Sequence, residues 1–165
     1  MNDGRNFPVV MVLFAALVVS SPPSVVAASD GLGDAETSIR KVLADAELAW
    51  NQGDLAGYMK SYWRSEELCF VSGARIGRGW EPVLENYRRS YPELRDMGRL
   101  VFSDLEITLL AADAALVLGR WRLHRKADEP HGVFTLVVRE LDEGWRIVHD
   151  HTSAAEPEPE EDADD

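Results

Sequence analysis

Apolar positions recur at three- and four-residue steps through the first half of the chain and at two-residue steps through the second. Ile39, Val42, Leu43, Ala46 and Trp50 form one helical face, with Asp34 placed to cap it and Gly53 to stop it. Asp54 restarts the pattern, and Leu55, Tyr58, Met59 and Tyr62 fall on one face of a short second helix. Leu68 to Ser72, the turn at Gly73-Ala74 and Arg75 to Arg78 predict a small hairpin. Gly79 then leads into a third helix on which Trp80, Leu84, Tyr87 and Tyr91 share a face; Pro82 fits its first turn and Pro92 ends it. After Gly98 the period becomes two. It predicts strands over Leu100 to Leu110, Ala114 to Arg125, His131 to Leu141 and Trp145 to Ser153, joined tightly enough for an antiparallel meander. Three helices and a hairpin followed by a long meander is an α+β pattern. Strands this long in so small a sheet must coil, and a curved sheet closed by the helical layer makes a cone with an internal pocket.

The two ends stand apart from this pattern. Phe7 to Val19 is apolar throughout and is followed by Ser20-Ser21-Pro22-Pro23 and the small residues Val25 to Ser29, which predicts a secretory signal peptide over residues 1–28, cleaved after Ala27 or Ala28. The run is shorter than the ~20 residues that span a bilayer as a helix, so no stable membrane span is expected after processing. The expected location is periplasmic or secreted. At the other end, Glu156 to Asp165 holds seven acids in ten residues and is expected to be a solvated acidic tail. That leaves one domain over residues 29–155, long enough to bury roughly two-thirds of its unfolded surface.

Charge refines the picture. The chain has 29 acids against 17 bases, a net charge of −12, but without the tail the balance is 22 to 17. No basic run offers the footprint that phosphate backbones require, so nucleic acid is not an expected partner. Cys69 is the sole cysteine, which excludes an intrachain disulfide; within Leu68-Cys69-Phe70-Val71 it is expected to be a small buried hydrophobe. Arginine outnumbers lysine 14 to 3, and Arg120, Arg122, Arg139 and Arg146 all fall on the meander. They are either an exposed, ion-paired face or the recognition element for an anionic small molecule.

The order of elements, the segment Ala46-x-x-x-Trp50-Asn51-x-Gly53-Asp54 and the closing strand Trp145-Arg146-Ile147-Val148-His149-Asp150-His151-Thr152-Ser153 resemble the nuclear transport factor 2-like superfamily. Within it, the closing strand is most similar to the SnoaL-like group of unknown function related to the association domain of calcium/calmodulin-dependent kinase II. The resemblance covers about residues 35–154. It implies a cone-shaped fold of three helices on a curved antiparallel sheet. The superfamily contains ketosteroid isomerase, scytalone dehydratase, limonene epoxide hydrolase and polyketide cyclases beside members that only bind or assemble, so fold does not decide function.

Strict alternation along the last strand puts Trp145, Ile147, His149, His151 and Ser153 on one face and Arg146, Val148, Asp150 and Thr152 on the other. The tryptophan face is expected to be the inner one. The expected pocket is therefore Tyr58, Tyr62, Trp80, Tyr87, Trp121, His149 and His151, unless one of the histidines is a structural hydrogen-bonding group. The expected ligand is a small organic molecule, with an anionic one allowed by the arginines. The alternative to a binding or assembly module is a cofactor-independent isomerase, dehydratase or cyclase, with His149 as general base and Tyr62 as proton donor. His149-x-His151 could supply two corners of a metal site, but no third and fourth ligand accompany them, so neither metal nor cofactor is expected. There is no Gly-rich phosphate loop and no Gly-x-Ser-x-Gly elbow. Leu116, Leu118, Val133 and Val137 lie on the sheet face opposite the helices, and a homodimer through that face is expected.

Overall fold

In the computed structural model, residues 26–155 are described; the predicted signal segment, apart from its last three residues, and the acidic tail lie outside them. Helix α1 (Val26–Asn51) turns Ile39, Leu43, Ala46 and Trp50 inward. It begins upstream of Asp34, which stands exposed inside the helix and is not its cap. Gly53, at φ +76°, reverses the chain, and Asp54 Oδ1 accepts from Gly57 N at 2.7 Å to start α2 (Leu55–Tyr58). The predicted second helix then tightens into a 3-10 turn (Met59–Ser61), where Ser61 Oγ donates to Tyr58 O at 2.7 Å. Tyr58, Met59 and Tyr62 are nevertheless all buried on one side, as their spacing predicts. The hairpin is β1 (Cys69–Ser72) with β2 (Arg75–Arg78), and α3 spans Trp80–Ser90. A further short helix, α4 (Leu94–Met97), follows Pro92; Asp96 Oδ2 accepts from Glu93 N at 3.1 Å at its start.

The meander is β3 (Arg99–Ala111), β4 (Ala114–His124), β5 (His131–Leu141) and β6 (Gly144–Ala154), each within a residue or so of its predicted bounds. The six strands form one unclosed sheet in the order β2-β1-β6-β5-β4-β3. One pairing makes it mixed rather than wholly antiparallel: β1 lies parallel to β6, which the long chain between them permits. The core fills the hollow between the helices and the inner sheet face.

Two bulges shape that hollow. In β3, Asp104 and Leu105 stand opposite Gly119, with Asp104 at φ +52°. Gly119 is needed there, because a Cβ would lie 2.5 Å from the Phe134 ring and 2.8 Å from Leu105. In β6, Val137 pairs with His149 while Val138 pairs with Ile147, so Val148 is the extra residue. The bulge reverses the alternation after Ile147, with direct consequences for the site.

Candidate functional site

Beyond Val148 the inward positions of β6 are Asp150 and Thr152. Asp150 pairs with Phe70 of β1 and Leu136 of β5, both turned toward the hollow, and is itself 5% exposed. Tyr62 reaches it through the backbone: residue 62 bridges Ile147, and Trp63 N donates to Ile147 O at 2.9 Å, setting the Tyr62 ring beside the end of the bulge. Its hydroxyl donates to Asp150 Oδ2 at 2.8 Å. The Tyr58 hydroxyl lies 3.2 Å from that of Tyr62. Because the one Tyr62 proton is committed to Asp150, Tyr58 is the donor, and the three groups form a relay from Tyr58 to Tyr62 to Asp150. Asp150 Oδ1 is buried without a partner.

The electrostatics follow from that isolation. Burial lifts the Asp150 carboxyl from 3.8 to about 7, against the smaller lowering effect of the Tyr62 hydrogen bond. Burial, reinforced by the Asp150 charge, raises Tyr58 to about 12 and Tyr62 well above the usual phenol value. Tyr87 is also raised well above it, first by burial and then by the nearby Tyr58 and Asp150. Near neutral pH the site therefore holds one acid poised to gain or lose a proton, among phenols that keep theirs.

A cavity of about 520 Å³ opens onto this group. Its wall is largely apolar, with Leu43, Trp50, Phe102, Leu123, Phe134 and Ile147 among the lining residues. Trp50 meets Tyr58, Tyr87 and Tyr91 edge-on at centroid separations of 5.1, 5.8 and 4.9 Å, which fixes the aromatic wall. Of the predicted pocket residues, Tyr58, Tyr62, Tyr87 and Trp121 line the cavity. Trp121 lies opposite Gly132, and its indole Nε1 donates to Ser153 O at 3.1 Å.

The remaining predictions are corrected. His149 and His151 do not face the cavity, because the Val148 bulge turns both to the outer side of the sheet. His149 sits beside Cys69 in a separate shallow cleft, and His151 is exposed. The proposed His149–Tyr62 acid–base pair is thus not assembled; Tyr62 is paired with Asp150 instead. Trp80 lies outside the cavity, its indole donating to Met59 O at 2.8 Å and its ring 4.8 Å beneath the Arg64 guanidinium. The meander arginines are engaged elsewhere. Arg120 pairs with Asp104 at 3.1 Å, Arg122 with Glu129 at 3.3 Å and Arg139 with Asp113 at 2.6 Å, while Arg146 donates to Trp145 O. Asp150 was missed because no local signal marks the bulge; the nearest is Ile147-Val148, two consecutive apolar residues in an otherwise alternating strand.

The segment Asn51-x-Gly53-Asp54 also acquires a physical role, and it is architectural. Asn51 Oδ1 accepts from Leu100 N at 2.7 Å and its Nδ2 donates to Leu100 O at 2.9 Å, clasping the start of β3 to the end of α1.

Comparison with known proteins agrees with this geometry. A family model described as a SnoaL-like domain matches residues 39–157. Among solved structures, an NTF-2 like protein of unknown function from Shewanella oneidensis is 42% identical, with a TM-score of 0.70, over 72% of this chain and 98% of that one. A ketosteroid isomerase-like protein from Erwinia carotovora shares the fold at 16% identity and a TM-score of 0.59, over 73% of this chain and 96% of that one. So does a putative scytalone dehydratase from Novosphingobium aromaticivorans, at 11% identity and a TM-score of 0.62, over 78% and 89% of the respective chains. None of the curated proteins matches the sequence. With the family model spanning most of the chain and the cone in place, the protein belongs to the SnoaL-like family of the nuclear transport factor 2-like superfamily.

Proposed function

We propose that the cone binds a small, flat, largely apolar organic molecule and moves a proton on it, with Asp150 as the acid–base group. The observation that carries this reading is the buried carboxyl whose one oxygen is held by Tyr62 and whose other is unpartnered among the cavity-lining residues. A carboxyl near 7 is matched to proton transfer at neutral pH. In the proposed step, ionised Asp150 Oδ1 takes a proton from carbon next to a ligand carbonyl. The C–H electron pair moves onto the carbonyl oxygen as an enolate, and the protonated Asp150 returns the proton to that carbon or, where a ligand C=C conjugates with the enolate, to the far carbon of the dienolate. Tyr62 holds the carboxylate in place. No cofactor is required. The ketosteroid isomerase-like and scytalone dehydratase-like neighbours are compatible with such chemistry, at the level of fold.

The test is deuterium incorporation next to the carbonyl of 2-tetralone and related flat ketones in D2O, followed by proton NMR. Exchange faster than buffer, rising as pH passes through about 7 and lost in Asp150→Asn, is the expected result. Exchange unaffected by that substitution would overturn the assignment.

Two further properties belong to the same proposal. The apolar run Phe7 to Val19 supports export of the domain, to be checked by amino-terminal sequencing of the protein recovered outside the cytoplasm. The outer sheet face supports a homodimer, since Leu118 and Val133 stand 43% and 39% exposed on adjacent strands.

A further inference from the structure

The charged residues around the cavity are few and unevenly placed. One carboxyl and two guanidinium groups line it: Asp150 within, and Arg75 and Arg89. Arg75 belongs to the hairpin and Arg89 to the last turn of α3, and both are exposed, which puts them at the mouth and not the floor. The two elements pack together, with Gly77 of β2 facing Val83 of α3. On α3, Pro82, Asn86 and Arg89 follow one another at helical spacing, so Arg89 continues the stripe that walls the cavity.

Arg120, Arg122 and Arg139 of the meander are committed to acids, as described above; Arg75 and Arg89 are not. Among the described residues neither Arg75 nor Arg89 makes an ion pair or a side-chain hydrogen bond, although Arg88, next in sequence, pairs with Glu85 at 3.6 Å. No acid other than Asp150 lines the cavity to neutralise them, and Asn86, Ser90 and Ser153 add neutral polar groups beside them. An apolar cavity with a buried proton-transfer group inside and uncommitted guanidinium forks at its mouth discriminates by ligand charge and shape.

We infer that the ligand is an organic acid whose flat apolar body fills the cavity and whose carboxylate is held at the mouth by Arg75 and Arg89. This rests on the small-molecule reading of the cavity and specifies the class of molecule. The competing explanation for Arg89 is a favourable place near the carbonyl end of α3, but Arg75, on a strand, has no such reason to be there.

The test compares two probes of nearly equal shape, 2-naphthylacetate and 2-naphthaleneethanol, by calorimetric titration at pH 6, where the probe acid is ionised and Asp150 is mostly neutral. The native protein is expected to bind the acid about tenfold more tightly than the alcohol. Arg75→Gln with Arg89→Gln should abolish that preference while leaving alcohol affinity unchanged, and both positions are exposed enough for the variant to melt like the parent. Equal affinity for both probes in the native protein, or a preference that survives in the double variant, overturns the arginine assignment and leaves the cavity reading standing. Failure of the native protein to bind either probe overturns both.

Discussion

Asparagine at position 150 keeps the shape of the side chain and removes its charge, and the structure predicts that this substitution stabilises the protein in alkaline buffer. The folded protein holds the Asp150 carboxyl near 7 against an ordinary value of 3.8, so folding favours the protonated form. The associated stability is therefore fully present below about pH 4 and is lost as pH rises through about 7. A separation of that size corresponds to about 4 kcal/mol between acidic and alkaline conditions. Tyr62, Tyr58 and Tyr87 are the polar side chains that border the carboxyl from the helical layer, and Phe70 and Leu136 flank it on the sheet; none supplies a positive charge to hold the ionised form. Urea unfolding followed by tryptophan fluorescence, on the native protein and Asp150→Asn at pH 4 and pH 8, reads the effect directly. The two should be similar at pH 4, and the variant should be the more stable by about 4 kcal/mol at pH 8. Groups common to both proteins cancel in the comparison. A difference below about 1 kcal/mol at pH 8 would refute the reasoning, because it would mean that solvent reaches Oδ1 and the acid is an ordinary carboxylate.

Tyr62→Phe removes the one hydrogen bond that favours ionised Asp150, so the pH midpoint of deuterium exchange should move above about 7; an unchanged midpoint would count against the pairing. Asn51→Ala leaves the Leu100 N–H and C=O without their side-chain partners and should cost about 2 kcal/mol in urea unfolding, with no shift in the exchange midpoint. Leu118→Lys combined with Val133→Lys should convert a dimer into a folded monomer by light scattering, and a native protein that is already monomeric would refute the outer-face interface.

The architecture was legible because it is periodic. The α1 face and all four meander strands follow from residues that alternate or recur with the helical turn, and those patterns survive into the fold because each element buries a single face. What was not legible depends on partners distant in sequence. Asp34 looks like a cap, but nothing before it stops the helix. The aromatic wall of Tyr58, Tyr62 and Tyr87 is readable from helix spacing, whereas Asp150 is not, since the extra residue at Val148 is set by how β6 meets β5 and β1. The meander arginines were misleading for a related reason: charge composition says nothing about which guanidinium already has a carboxylate, and the two left uncommitted at the cavity lie on other elements.

The kink at Val148 also makes β6 a strand that carries two alternative chemistries. With the extra residue accommodated, a carboxylic acid and a threonine look inward; were the ladder to run without it, with the pairing upstream of Ile147 kept, the same chain would turn the imidazoles of His149 and His151 inward instead. A slip of one position would thus exchange an acid for a pair of bases without a single substitution and without disturbing the scaffold that precedes it. Relatives that differ by one residue here can therefore present different reactive groups to a shared chamber, and an alignment of this strand that ignores the kink will compare side chains from opposite sides of the sheet.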